Sequence, residues 1–132
     1  MKLCICLADA SSKAENGTFD VLGLGVTRLH VGAFPTGYNG VLVLIATPEE
    51  GDVEGAEVEV ALLMKTPDTD WQTIGAAKLV TMKPRDQAVA TLKFGLPVEG
   101  AGTFTFRAVS GGVVAETHLV AQPRTSGGPE AS

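Results

Sequence analysis

Along nearly its whole length this chain alternates apolar and polar residues with a period of two, and Gly, Pro, Asn and Asp break the alternation at short intervals. That period belongs to β-strands, whose successive side chains point to opposite faces. No segment carries a sustained 3.6-residue helical repeat in its place. A succession of short strands and turns excludes helical bundles and α/β folds, and leaves a two-sheet sandwich or a closed barrel.

The pattern predicts about eight strands. Leu3 to Ala8 is apolar on both faces and reads as a central, fully buried strand. Asn16-Gly17 supplies a tight hairpin turn, and Thr18 to Val31 returns. Within that return the apolar phase slips at Gly23 and Gly25, which reads as a bulge or sharp bend. A loop through Pro35, Gly37, Tyr38 and Gly40 leads into a second strand apolar on both faces, Val41 to Ala46.

Beyond the acidic loop Glu49, Glu50, Asp52 and Glu54, the stretch Ala56 to Met64 alternates cleanly, with Val58, Val60, Leu62 and Met64 inward and Glu57 and Glu59 outward. Pro67-Asp68-Thr69-Asp70 and Pro84-Arg85-Asp86 are turns around a strand at Ile74 to Met82. Ala88, Ala90, Leu92 and Phe94 share one face, as do Phe104, Phe106 and Ala108, and Ser110-Gly111-Gly112 turns into a last strand, Val113 to Ala121. The expected domain is residues 1–121, followed by a flexible tail over 122–132. Its fold class is an all-β, two-sheet antiparallel sandwich of the immunoglobulin-like kind, without the cysteine bridge of antibody domains.

Composition narrows the partners. Of 132 residues, 15 are acidic and 10 basic, and no stretch concentrates Lys and Arg as a phosphate backbone requires. Nucleic acid and anionic membranes are therefore not expected partners. The opening Met1 to Ala8 has one positive charge and a short apolar run, but Asp9 ends it before it reaches the length of a signal or a span, so a cytoplasmic location is expected.

Candidate chemistry is sparse. Cys4 and Cys6 with His30 and His118 are ligand types for zinc, but C-x-C with two distant histidines has no zinc-knuckle spacing. On one strand the two sulfurs lie roughly 7 Å apart on the same face, too far for an easy disulfide, so free buried thiols are expected rather than a catalytic cysteine. Leu22-Gly23-Leu24-Gly25 lacks the third Gly and the helix of a dinucleotide turn. The acidic loop and Asp68-Thr69-Asp70 lack the Gly and closing Glu of a calcium loop. Asn16-Gly17-Thr18 fits the glycosylation pattern, which matters only in a secreted chain.

Leu7-Ala8-Asp9-Ala10, Asn16-Gly17-Thr18-Phe19 and Leu22-Gly23-Leu24-Gly25-Val26 resemble the opening of a family of small uncharacterised bacterial β-rich proteins. Pro97, Gly102 to Arg107 and Val114-Ala115-Glu116 resemble the last hairpin of many β-sandwich modules. The resemblance implies a β fold and no catalytic residue.

With no metal, cofactor or catalytic group expected, the chain reads as a non-enzymatic structural or interaction module, self-associating or docking onto a larger assembly such as a bacteriophage virion. Tyr38 and Trp71 are its candidate contact residues. A small-ligand or cation-binding sandwich, with the acidic loop and Tyr38 or Trp71 at one end of the sheets, is the alternative, and a cysteine enzyme a third.

Overall fold

The computed structural model describes residues 1–13, 19–22, 25–52, 55–80 and 87–123, with the backbone alone for 10–13 and 19–22. The strands are β1 (Lys2–Ala8), β2 (Ala10–Lys13), β3 (Phe19–Leu22), β4 (Arg28–Val31), β5 (Thr36–Thr47), β6 (Glu57–Lys65), β7 (Gln72–Val80), β8 (Ala88–Val98), β9 (Gly102–Ser110) and β10 (Val113–Pro123). Among the described residues there is no helix. Eight strands form two sheets, β1-β5-β8 and β4-β10-β9-β6-β7, and β2 and β3 make a separate two-stranded ribbon. All pairings are antiparallel except that of β4 with β10, which makes the larger sheet mixed.

One apolar cluster joins the sheets. Leu7, Leu42, Leu44 and Leu96 come from the smaller sheet, and Val60, Leu62, Phe104, Phe106 and Leu119 from the larger. Phe94 of β8 meets Phe106 of β9 at a centroid separation of 5.3 Å, an aromatic contact across the two layers. Period-two alternation is what lets each of these strands give one side chain in two to this interior.

The strand over Val41 to Ala46 is central, in keeping with its double-sided apolarity, but it is longer than the sequence suggests. β5 begins at Thr36, so Gly37, Tyr38 and Gly40 belong to the sheet and not to a loop. At Gly40 a Cβ would come within 2.6 Å of the Tyr38 ring, which leans along the strand over the bare glycine. The ring thereby reaches Phe94 edge-on at 5.9 Å.

β1 corrects the expected central, buried strand. It lies at the edge of its sheet, Cys4 is exposed and Cys6 half-buried. Its second apolar face is covered from outside: Ala8, Val41 and Val43 form a small buried cluster on the side of the sheet away from the main core, with Cys6, Ile45 and Val89 against it.

The expected single return over Thr18 to Val31 is two strands with different partners. β3 pairs with β2, whereas β4 pairs with β10 in the larger sheet. Between them Gly25 adopts a φ of +90°, and its N–H and that of Val26 both donate to the Leu7 carbonyl, at 2.8 and 3.1 Å. Two amides thus satisfy one carbonyl on the free edge of β1 while the chain crosses between sheets. Asn16-Gly17, Gly23, Glu54 and Pro84-Arg85-Asp86 lie outside the described residues.

The end of the last strand also differs. Gln122 and Pro123 pair with His30 and Val31, so β10 continues two residues beyond the expected boundary, and 124–132 lie outside the described residues. β6, β8 and β9 carry the inward residues read from the sequence, and Gly111, with φ +57°, turns β9 into β10.

Candidate interaction surface

Because Val60, Leu62, Phe106, Ala108 and Leu119 point inward, their neighbours in sequence line the outer face of the five-stranded sheet. Register decides which of them meet. Val114 lies opposite Val109, Val109 opposite Ala61, and Ala61 opposite Ala76, so one apolar row crosses four strands. Val114 is 54% exposed. The adjacent row runs Glu116, Arg107, Leu63, Thr73.

Trp71, just before β7, closes this second row. The Arg107 guanidinium carbon stands 4.0 Å from the centre of the indole ring, a cation–π stack. Arg107 Nε donates to Glu116 Oε1 at 2.6 Å, and a second guanidinium nitrogen contacts the same oxygen. Held between an aromatic face and a carboxylate, the Arg107 side chain is fixed more firmly than a surface arginine ordinarily is. The Trp71 amide is held in turn by Asp70 Oδ1 at 2.8 Å. Further along the face, Lys78 pairs with Glu57 at 3.5 Å.

Of the two aromatics singled out by sequence, only Trp71 reaches this surface. Tyr38 is 8% exposed and belongs to the core, and its hydroxyl has no hydrogen-bond partner among the described residues. Burial, and secondarily the Asp9 carboxylate, push its phenol above the ordinary value. The sequence left the Val114, Val109, Ala61 row unnoticed. Each strand shows its own alternation, but the row exists only once four registers are known.

The other candidates do not converge. Cys4 and Cys6 sit on the outer side of the smaller sheet, whereas His118 faces outward from the larger one, its Nδ1 3.1 Å from Thr105 Oγ1. Among the described residues no three His, Cys, Asp or Glu side chains gather into a metal-binding group. Burial, and then Cys4, raise the Cys6 thiol, the opposite of what activates a nucleophile.

The acidic loop is occupied by the chain itself. The Met1 amino group contacts Glu49 Oε1 and Asp52 Oδ2, each at 2.9 Å. The loop is closed internally by Glu49 N–H donating to Asp52 Oδ2 at 2.8 Å. That bond first, and the Met1 amino group second, hold the Asp52 carboxyl below its usual range, and Asp52 and then Glu49 raise the amino group. Neither Tyr38 nor Trp71 lines this loop, so the expected cluster of acidic loop and aromatics at one end is absent from the described residues. Among the described residues no helix is long and apolar enough to cross a membrane.

No family model matches the chain, and comparison with curated proteins finds no match either. Among solved structures, the chain is similar to a β-glucosidase, EmGH1 from Erythrobacter marinus, with a TM-score of 0.49 and 11% identity. The match covers 73% of this chain and 14% of that one. A likeness of that degree carries no argument about activity.

Proposed function

We propose that this chain is a non-enzymatic interaction module, an immunoglobulin-like β-sandwich of the small bacterial β-rich kind, that docks through the outer face of its five-stranded sheet. The observation that carries this reading is the apolar row Val114, Val109, Ala61 and Ala76 beside the fixed Trp71–Arg107–Glu116 stack. A rigid aromatic and an ordered arginine next to small apolar residues are what contact surfaces use, because little side-chain entropy is lost on binding.

The partner favoured by the charges is a second copy. The face carries both members of its ion pairs, Arg107 with Glu116 and Lys78 with Glu57, so these charges are balanced within one copy and do not repel a second. Self-assembly of this sort, or docking onto a larger repeating surface, suits a cytoplasmically made part of a bacteriophage particle.

Sedimentation of the intact chain against a Val109→Glu/Val114→Glu variant tests the proposal. The wild type is expected to self-associate as its concentration rises, and the variant, with two carboxylates in the apolar row, to remain monomeric. A wild type that stays monomeric at every concentration, or a variant that associates equally well, overturns it.

A further inference from the structure

Where the turn between β6 and β7 meets the turn between β8 and β9, the molecule holds a cavity of about 580 Å³. That volume falls within the roughly 300–1,000 Å³ typical of small-molecule sites. Its floor is apolar, formed by Met64, Leu96 and Phe104, of which the last two are buried core residues. Its rim carries two carboxylates, Asp68 and Glu99, and among the described residues no Lys, Arg or His lines it.

The walls are held open by the fold. Thr66 Oγ1 accepts the amides of Asp68 and Thr69, at 3.3 and 3.0 Å, and lies 2.6 Å from Thr69 Oγ1. Those bonds set one turn. The second is seated on it through Gly102, where a Cβ would lie 2.9 Å from Pro67 Cβ. Only a residue without a side chain lets the two turns approach so closely, and the hollow lies between them.

From this geometry we infer that the cavity binds a small amphiphilic organic cation, with its apolar body on Met64, Leu96 and Phe104 and its ammonium group between Asp68 and Glu99. Burial of the body supplies the affinity, since exposed carboxylates attract only weakly through water. The rim supplies the selectivity: a cation is favoured, a neutral analogue indifferent, and an anion repelled. Trp71 and the apolar row do not line the cavity, so this site stands or falls independently of the docking face.

Three ligands of one shape separate the contributions: 2-phenylethylammonium, 2-phenylethanol and 3-phenylpropionate, each titrated into the intact chain by calorimetry with the Met64 methyl followed by NMR. At low salt the ammonium should bind about three- to tenfold more tightly than the alcohol, and the carboxylate more weakly than either. Raising the salt should shrink that ratio. Asp68→Asn/Glu99→Gln, confined to turns, should bring the ratio close to one while leaving the alcohol's affinity unchanged. Ala101→Trp at the mouth should abolish binding of all three. The inference is overturned if none of the three binds, if charge makes no difference, or if the ammonium's preference survives the loss of both carboxylates.

Discussion

Tyr38 concentrates what a single residue contributes to this fold. Its ring fills space above Gly40 and touches Phe94, but among the described residues its hydroxyl is buried without a partner. A buried unpaired hydroxyl costs stability that an apolar isostere recovers. Tyr38→Phe should therefore leave the free energy of unfolding unchanged or raise it by up to about 1 kcal/mol. Chemical denaturation measures this, and a loss of that size would reveal a partner for the hydroxyl. The amino group of Met1 makes a second residue-scale prediction. Because its folded value lies above 8.0, its contribution is complete below pH 8 and disappears as the pH rises through the raised value. Asp52, held below 3.8, contributes above that pH and ceases to as the pH falls through its lowered value. Melting temperature against pH should decline at both ends, and acetylating the amino group should flatten the alkaline limb and weaken the acid one. Identical profiles for the free and acetylated chains would contradict the clamp.

At the scale of the element, the two thiols of β1 distinguish an edge strand from a central one. Thiol reagent should modify Cys4 in the native protein at a rate near that of an accessible cysteine. Cys6, half-buried and with its thiol raised by burial, should react far more slowly. Peptide mapping after timed labelling checks this, and equally slow modification of both would restore the central strand. Why sequence misplaced β1 is instructive. Leu3 to Ala8 is apolar on both faces, which ordinarily marks a strand flanked on both sides. Here the second face is buried at Ala8, Val41 and Val43 although no strand pairs beyond β1 in its sheet, and hydrophobicity does not distinguish such burial from a neighbouring strand. Strand faces that depend only on alternation, such as Val58 to Met64 and Phe104 to Ala108, were legible because their signal is local. The break between β3 and β4 was visible as a slip at Gly25, but the switch of sheet depends on Leu7, eighteen residues upstream by their numbers, where the carbonyl receives the Gly25 and Val26 amides.

For the whole molecule, two sheets share one interior and leave one outer face with a fixed aromatic, an ordered arginine and an apolar row. The interior could be read from the sequence where alternation carries it, as at Val60, Leu62, Phe104 and Phe106, but not at Tyr38, expected in a loop as a contact residue and found in the core. Trp71 could be named as a candidate contact residue, but Arg107, and the Glu116 that pairs with Arg107, lie far along the chain and are brought beside it only through the pairing of β7, β6, β9 and β10. The same tertiary dependence hid the cavity, whose two turns are separated in sequence and joined at Pro67 and Gly102. Trp71 is the sole tryptophan, so its fluorescence reports on the outer face of the five-stranded sheet alone. Quenching of that fluorescence by acrylamide, measured from dilute to concentrated protein, tests most directly whether this face is where the molecule makes contact. The account predicts that Trp71 becomes progressively shielded as concentration rises, and that Val109→Glu/Val114→Glu removes the effect. Quenching that is the same at every concentration, in both proteins, would contradict it.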